Sequence, residues 1–251
     1  MKNKRYELGG LTMKALIDLH CHTVASGHAY STLKENIDEA KEKNLKYLGV
    51  SDHAPNMPGS THPYYFGNLG VIKSEINGVR ILKGIEANIM DFEGKVDIPE
   101  DVIGKLDYVI ASFHPPCISG GSKEENTKAI INVMENKEVK IIGHLDDSRY
   151  PVDYEKVVKK AKETNTLLEI NNSSLRPNSF RVGAIENAKK MLKLCKKYEV
   201  KVILGSDAHI YYQVGDFKNC EKILNEVDFP GNLVVNFNEE YIKEIFFKKE
   251  V

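Results

Sequence analysis

The histidines of this chain are placed where a metal site could form. Seven of the eight histidines lie at or just beyond the C-terminal end of a short apolar run that is typical of a β-strand. One glutamate and one aspartate share this placement, which completes a set of nine nitrogen and oxygen ligands: His20, His22, His28, His53, Glu86, His114, His144, Asp207 and His209. A catalytic zinc takes about four or five ligands and keeps one position for water. Nine ligands therefore indicate two or three ions, and we expect three.

The ligand types narrow the choice of metal. Neutral imidazole suits zinc and the other late first-row divalent ions, and added carboxylates extend the choice to manganese or iron. Calcium and magnesium prefer sites built from oxygen atoms, so this much histidine argues against them. We expect zinc, with manganese or iron as alternatives. Asp18 and Asp52 lie beside ligands and could orient imidazoles, although capping or solvated roles remain open for both.

Two pairs of ligands lie at opposite ends of the pattern. In a strand, residues two apart share a face, so His20 and His22 are predicted to point to the same side. Asp207 and His209 repeat this spacing at the last apolar run. If the first and last strands are neighbours, the two pairs meet.

The elements that must position these residues are seven apolar runs of strand type. Polar markers end them at positions 20, 53, 86, 114, 144, 171 and 207, with separations of 33, 33, 28, 30, 27 and 36 residues. About 30 residues is the length of one β-α-β step. The repeat predicts an α/β fold, a distorted seven-stranded (β/α)7 barrel of TIM type, whose chemistry collects at the C-terminal ends of its strands. An open doubly wound sheet is the alternative, but its ligands usually bind at one crevice.

The composition of the chain restricts its possible binding partners and its cellular location. Lys and Arg number 35 against 36 Asp and Glu, so there is no positive surplus for binding nucleic acid or an anionic membrane. No apolar run is long enough for a membrane span, no leader segment is apparent, and the four scattered cysteines fit a reducing cytoplasm. We expect a disordered extension over residues 1–14, with Met13 as an alternative start, and a single domain over residues 15–251.

The motifs around the ligands resemble the PHP (polymerase and histidinol phosphatase) superfamily, and among its members the YcdX-like phosphatases. The resemblance runs from about residue 15 to about residue 230 and is carried by these segments: Asp18-Leu-His20-Cys-His22-Thr23, Ser51-Asp52-His53, Gly84-Ile-Glu86-Ala-Asn88, Ser112-Phe-His114, Gly143-His144, Glu169-Ile-Asn-Asn-Ser-Ser174 and Gly205-Ser-Asp207-Ala-His209. The chain departs from the family pattern at 143–148, where relatives tend to carry Pro and Gly after the histidine.

The resemblance implies a distorted seven-stranded barrel, three zinc or similar ions, and phosphoester hydrolysis by a metal-bound hydroxide. It also implies a division of the ligands. One ion would be held by His20, His22, Glu86 and Asp207, a second by His28, His53 and His209, and a third by His114 and His144, with Glu86 as the bridge.

Residues outside the ligand set are weaker candidates. His62, in the segment 54–77 that reads as a loop followed by a short helix, could contact substrate or donate a proton, or could be an ordinary loop residue. Arg176 and Arg181 could each grip phosphate with a guanidinium fork, or could be solvated surface arginines. Asn171 could line the pocket, with strand-end capping as the alternative.

The leading functional interpretation is a metal-dependent phosphatase acting on a small phosphomonoester. A histidinol phosphatase, a PHP-type phosphodiesterase or nuclease, and a metal-binding module without catalysis are the alternatives. The expected partner is a small phosphorylated substrate, with neither nucleic acid nor membrane, and assembly into a homo-oligomer is left open.

Overall fold

The computed structural model describes residues 14–247 together with the backbone of two short strands, β1 (Glu7–Leu8) and β2 (Leu11–Thr12), which pair antiparallel. Most of the predicted N-terminal extension lies outside the described residues, so its disorder stays a prediction. Within the described part of the chain, no helix is both long and apolar enough to span a membrane.

Seven parallel strands form the barrel wall. They are β3 (Ile17–Asp18), β4 (Tyr47–Val50), β6 (Val79–Asn88), β7 (Tyr108–Ser112), β8 (Val139–Ile142), β9 (Leu167–Asn171) and β10 (Val202–Gly205), and they neighbour one another in chain order. A short strand, β5 (Glu75–Ile76), pairs antiparallel with β6. The nearly closed barrel confirms the predicted fold class.

Helices lie between most of the strands and cover the outside of the barrel. They are α1 (Leu33–Glu42), α2 (Pro63–Gly67), α3 (Lys123–Val133), α4 (Tyr154–Thr164), α5 (Ala184–Tyr198), α6 (Lys218–Glu226) and α7 (Glu239–Phe246). The first begins at a capping box in which Thr32 and Glu35 each accept a hydrogen bond from the other's backbone N–H.

The barrel closes at a seam where β3 and β10 lie side by side. Two kinds of hydrogen bond hold this seam together. At the C-terminal end, the His22 N–H donates to Ala208 O at 2.9 Å and the Ala208 N–H donates to His20 O at 3.2 Å. Closer to the N-terminal ends of the two strands, hydrogen bonds from the Asn236 side chain replace backbone pairing between them. Its Nδ2 donates to the carbonyls of Ile17 and Leu204, both at 2.9 Å, and its Oδ1 accepts the Leu204 N–H at 2.7 Å. The first and last strands are therefore neighbours, as predicted.

A tyrosine fills the lower part of the barrel interior. Tyr108 is buried, and its hydroxyl donates to Leu19 O at 2.7 Å. A Cβ at Gly84 would overlap the Tyr108 ring, and one at Gly49 would overlap its hydroxyl, so both strands need glycine at these positions. This packing fills the interior below the C-terminal ends of the strands, where barrels of this type place their sites.

Candidate metal centre

The nine predicted ligand residues converge at the C-terminal end of the barrel. His20 and His22 follow β3, His53 follows β4, and Glu86 lies within β6. His28 lies further along the loop after β3, and the remaining ligands lie in the loops after β7, β8 and β10: His114, His144, Asp207 and His209. The rings of His22 and His53 are 4.3 Å apart, as are those of His22 and His209. The strand-end pattern thus becomes one cluster of imidazoles.

Glu86 lies at the centre of this cluster and is completely buried. Five imidazoles surround its carboxylate. The distances to Oε1 are 2.9 Å from His144 Nε2, 3.2 Å from His114 Nε2 and 3.3 Å from His20 Nε2, and those to Oε2 are 2.8 Å from His53 Nδ1 and 3.5 Å from His22 Nε2. A carboxylate in this position can bridge ions held by different histidines.

Several polar atoms of the cluster are buried without a hydrogen-bond partner among the described residues. They are Nε2 of His20, His22 and His114, Nδ1 of His53 and Oε2 of Glu86. Leaving one such atom unsatisfied costs about 1–3 kcal/mol, so native proteins rarely do so without a reason. The unpaired atoms are imidazole nitrogens and a carboxylate oxygen, the donors that zinc and similar ions bind. The residues present therefore fit divalent metal ions.

Among the residues that the structure describes, four groups of three side chains have donor atoms close enough together to share an ion. They are His20, His22 and Asp207; His22, His53 and His209; His20, Glu86 and His144; and His53, Glu86 and His114. The first agrees with the division that the family resemblance implies, whereas His144 groups with His20 rather than with His114. His28 joins none of these groups. It is exposed at the rim, where its ring stacks on that of His53 at 4.9 Å and lies tilted against that of His209 at 4.8 Å.

Electrostatics act in opposite directions on His20 and on two of its neighbours, His22 and His114. Burial disfavours a charge on His20, but the charges of Glu169 and Glu86 outweigh burial and raise the pKa of this imidazole well above its ordinary value. Burial dominates at His22 and His114, lowering the pKa of the former well below its usual range and that of the latter to about 3. Without metal, a proton therefore resides on His20 and not on His22 or His114.

Glu169 is a functional residue that the sequence interpretation left out of the site. Its Oε1 lies 2.6 Å from Nδ1 of His20, and its Oε2 accepts the backbone N–H of His144 at 2.8 Å. A Cβ at Gly205 would overlap the Glu169 carboxylate, which explains the glycine at that strand end. A carboxylate within the apolar run of β9 was the available signal, because an acidic side chain is rarely buried without a partner.

Asn88 and Asp97 orient the His114 imidazole from its Nδ1 side, away from Glu86. Nδ1 of His114 lies 2.7 Å from Asn88 Oδ1, and Asn88 Nδ2 donates to Asp97 Oδ2 at 2.7 Å. Ser26 plays the corresponding part for His22. Its hydroxyl donates to Asp52 Oδ1 at 2.6 Å and lies 3.0 Å from His22 Nδ1.

The two aspartates predicted to orient imidazoles do so indirectly or not at all. Asp52 acts on His22 only through Ser26. Asp18 contacts no imidazole, because its carboxylate accepts backbone N–H groups of Ser206 at 3.2 Å and Gly215 at 2.8 Å. Asp18 therefore supports the seam on which the ligands lie.

The other predicted site residues are divided between the cavity and its surroundings. A cavity of about 630 Å³ opens in front of the cluster, and both Arg176 and Arg181 line it. Asn171 is buried beneath, where it accepts from Arg181 and donates to Asp207 at 3.3 Å. His62 is not part of the cavity lining, since it is exposed and caps α2 by accepting the Tyr64 N–H.

Backbone strain accompanies two ligands. Asp207, with φ of 53°, and His144, with φ of 25°, adopt positive φ values that non-glycine residues rarely take. Such conformations cost about 1–3 kcal/mol and concentrate at functional sites. In the segment 143–148, where the sequence departs from the family pattern, the chain retains the histidine in the cluster and places Asp147 at the cavity wall.

Comparisons with known proteins agree with this geometry. The family model described as PHP domain matches residues 18–176. A protein of Clostridium novyi named probable phosphatase is 49% identical over 91% of this chain and 93% of its own length, and one of Acetivibrio thermocellus with the same name is 45% identical over 95% and 98%. A histidinol phosphate phosphatase of Lactococcus lactis, solved with Zn, L-histidinol and phosphate, superposes with a TM-score of 0.61 at 19% identity, covering 86% of this chain and 95% of that one. The chain belongs to the PHP domain family.

Proposed function

We propose that this chain is a metal-dependent phosphatase that hydrolyses a small phosphomonoester at a site holding three divalent ions, with zinc expected and manganese or iron as alternatives. One observation carries the proposal. Five imidazoles surround the buried carboxylate of Glu86, and four of them, together with one oxygen of that carboxylate, have donor atoms without a hydrogen-bond partner among the described residues. The names of the relatives support phosphatase chemistry, and the zinc in the histidinol phosphate phosphatase supports the choice of metal.

Bound ions would supply hydroxide at neutral pH and neutralise charge on the phosphoryl oxygens. In the hydrolysis, a bond forms between phosphorus and the oxygen of water while the bond from phosphorus to the ester oxygen breaks. The ester oxygen takes a proton, and the products are an alcohol and inorganic phosphate.

The protein's own contribution is to orient the ligands and the substrate. Glu169, Asn88 and Ser26 hold three imidazoles in place, as described above. Arg181 is held rigidly at the cavity, because its NH1 donates to Ser174 Oγ at 2.9 Å and to Asp207 Oδ2 at 3.1 Å. Its guanidinium is a fixed positive group that can stabilise a phosphoryl oxygen. His62 has no part in the proposal, because it caps α2 outside the cavity lining.

The substitution Glu86→Gln tests the proposal. It keeps the size of the side chain but removes the charge that a bridging ligand needs, so both metal content and turnover of 4-nitrophenyl phosphate are expected to fall to background. Metal is measured by elemental analysis of the purified protein. Glu100→Gln is the matched control, since Glu100 is exposed and remote from the cluster, and it should behave as wild type.

Two results would contradict the proposal. A Glu86→Gln variant that is fully active without metal would show that the cluster is not needed for hydrolysis. A wild-type protein that holds stoichiometric metal but hydrolyses no phosphate ester would favour a metal-binding module.

A further inference from the structure

The wall of the cavity has an apolar part that the metal cluster does not need. It consists of Met57, Pro58, Phe113, Pro115, Pro116 and Phe180. The Phe113 ring stacks on Tyr150 at 4.8 Å with an interplanar angle of 2°, which holds it in place. Phe180 is 68% exposed although it is a large aromatic side chain. Because a phosphoryl group gains nothing from apolar surface, this part of the wall fits the leaving portion of the substrate.

The charged side chains on the same wall differ in whether they are already paired within the protein. Of the two carboxylates that line the cavity, Asp147 is bound by Arg149, whose Nε donates to Oδ2 at 2.9 Å and to Oδ1 at 3.1 Å. The other, Asp207, accepts from Arg181 at 3.1 Å and directs Oδ1 toward the metal cluster, 3.4 Å from His22 Nε2. Neither carboxylate is therefore free to receive a cation from a substrate.

Arg176 is different from the other two cavity arginines. Its guanidinium has no hydrogen bond or ion pair with any side chain in residues 14–247, although it lines the cavity and is partly buried. A guanidinium matches the geometry of a carboxylate or a phosphate and can bind either through two parallel hydrogen bonds. Arg176 is thus a positive group at the cavity that the described side chains leave unpaired.

We infer that the substrate carries a second anionic group on a partly apolar leaving portion, and that Arg176 binds this group. The inference rests on the proposed phosphatase function and names the substrate class. A leaving portion with an ammonium group would face Arg149 and Arg176 with no free carboxylate to receive it, and juxtaposed like charges act against binding. L-histidinol phosphate carries such an ammonium group, so it belongs to the disfavoured class.

Three phosphomonoesters of similar length separate the possibilities. They are 2-carboxyethyl phosphate, propyl phosphate and 2-aminoethyl phosphate, which end in an anion, a neutral group and a cation. The expected order of kcat/KM is carboxyethyl above propyl above aminoethyl. Arg176→Gln should lower the ratio of carboxyethyl to propyl about tenfold, the typical effect of losing one charged hydrogen bond. Arg176→Lys should retain part of this ratio.

A control variant tests whether the effect is specific to Arg176, and a binding measurement tests the inference without turnover. Arg80 is the second residue of β6, at the opposite end of the barrel, where its guanidinium lies 4.1 Å from the Phe247 ring centroid, so Arg80→Gln should leave the ratios unchanged. The non-hydrolysable analogues 4-phosphonobutanoate, butylphosphonate and 3-aminopropylphosphonate should raise the Tm of the metal-loaded protein in the same order as their ester counterparts are hydrolysed.

Other outcomes would overturn either this inference or the proposed function. Preference for the aminoethyl ester would overturn the inference while leaving the phosphatase proposal intact. An equal loss on all three esters in Arg176→Gln would place Arg176 at the phosphoryl group, which also overturns it. No turnover of any ester would overturn the proposed function, and the order of Tm shifts would still decide how Arg176 binds its ligand.

Discussion

Asp97 fixes which nitrogen of His114 faces the metal centre, although the two side chains do not touch. A carboxylate can only accept, so the contact of 2.7 Å between Asp97 Oδ2 and Asn88 commits the amide nitrogen of Asn88 to Asp97. The Asn88 carbonyl oxygen must then face His114 Nδ1, which therefore carries the proton. Nε2 of His114 is left with its lone pair directed at Glu86, as a metal ligand requires.

Removal of Asp97 is expected to weaken metal binding without removing a ligand. In Asp97→Leu the Asn88 amide is free to turn over, and metal affinity should fall by about 10- to 100-fold, as is typical when a group behind a ligand is lost. Chelator competition measures the affinity, and ¹⁵N NMR of His114 reports the tautomer. Asp97→Asn should retain part of the affinity. Wild-type affinity and an unchanged tautomer in Asp97→Leu would contradict this role.

Zinc binding should release a proton from His20. Without metal, the pKa of His20 lies well above its ordinary value because the charges of Glu169 and Glu86 outweigh the effect of burial. The imidazole is then protonated at pH 7, but a metal ligand must be neutral. Calorimetric titrations in buffers of different ionisation enthalpy should therefore show proton release, and affinity should rise with pH.

The variant Glu169→Gln separates this proton from any released by bound water. It removes one of the charges that raise the pKa of His20, so proton release at pH 7 should fall by up to about one proton per protein. Equal proton release in wild type and variant would show that Glu169 does not hold a proton on His20 in the metal-free protein.

Acidification should destabilise the metal-free protein between pH 6.5 and 5. Burial holds the pKa of His22 well below 6.5 and that of His114 at about 3, so the unfolded chain binds protons here that the folded chain does not. Stability therefore falls as pH falls, by up to about 1.4 kcal/mol per pH unit for each such histidine. Two groups oppose this trend: His20 near pH 6.5, where the unfolded imidazole is still partly neutral, and Asp146, whose pKa burial raises to about 7. Each offsets at most about one proton, so the histidines dominate below about pH 6. Glu86, whose pKa is lowered, contributes only below about 4.5.

Urea unfolding of the metal-free protein at pH 6.5, 6 and 5 measures this slope. His114→Asn should have a shallower slope than wild type, because one of the responsible groups is gone. A free energy of unfolding that stays constant or rises on acidification over this range would contradict the expected protonation states.

Asn236 is expected to contribute strongly to stability. Asn236→Leu leaves the carbonyls of Ile17 and Leu204 and the Leu204 N–H without their partners, at a cost of about 3 kcal/mol or more in the free energy of unfolding. Asn238→Ala is the control, since that asparagine caps α7 from the surface and its loss should cost about 1 kcal/mol. Similar losses in the two variants would show that the Asn236 amide does not hold the seam.

The sequence predicted the barrel and the residues of the cluster because both follow from local patterns. Short apolar runs at intervals of one β-α-β step define the strands, and the residues that end them must meet where parallel strands end. The partners behind the ligands follow no such pattern. Asp97 reaches Asn88 only because the chain turns back on itself, with Ile89 paired to Val96, and no periodicity indicates that turn.

The prediction for Asp18 shows a second limit. Residue spacing placed this side chain two positions before His20, at the end of β3, but it could not show that backbone N–H groups across the seam would compete for the carboxylate. Arg176 and Arg181 could not be distinguished from the sequence either. Whether an arginine is paired depends on Asp207 and Asn171, which come from other parts of the chain.

The seam between β3 and β10 has a consequence for the motions of the molecule. His20 and His22 lie on one side of it and Asp207 and His209 on the other, and the two sides are joined by a short stretch of backbone pairing and by a few side chains, among them Asn236 and Asp18. An ion bound by both sides would tie the ends of the sheet together. In the metal-free protein, the backbone amides at the ends of β3 and β10 should therefore exchange hydrogen faster than those at the ends of the other strands. Bound metal should slow local opening of the barrel at this seam and so protect the chain from proteolysis.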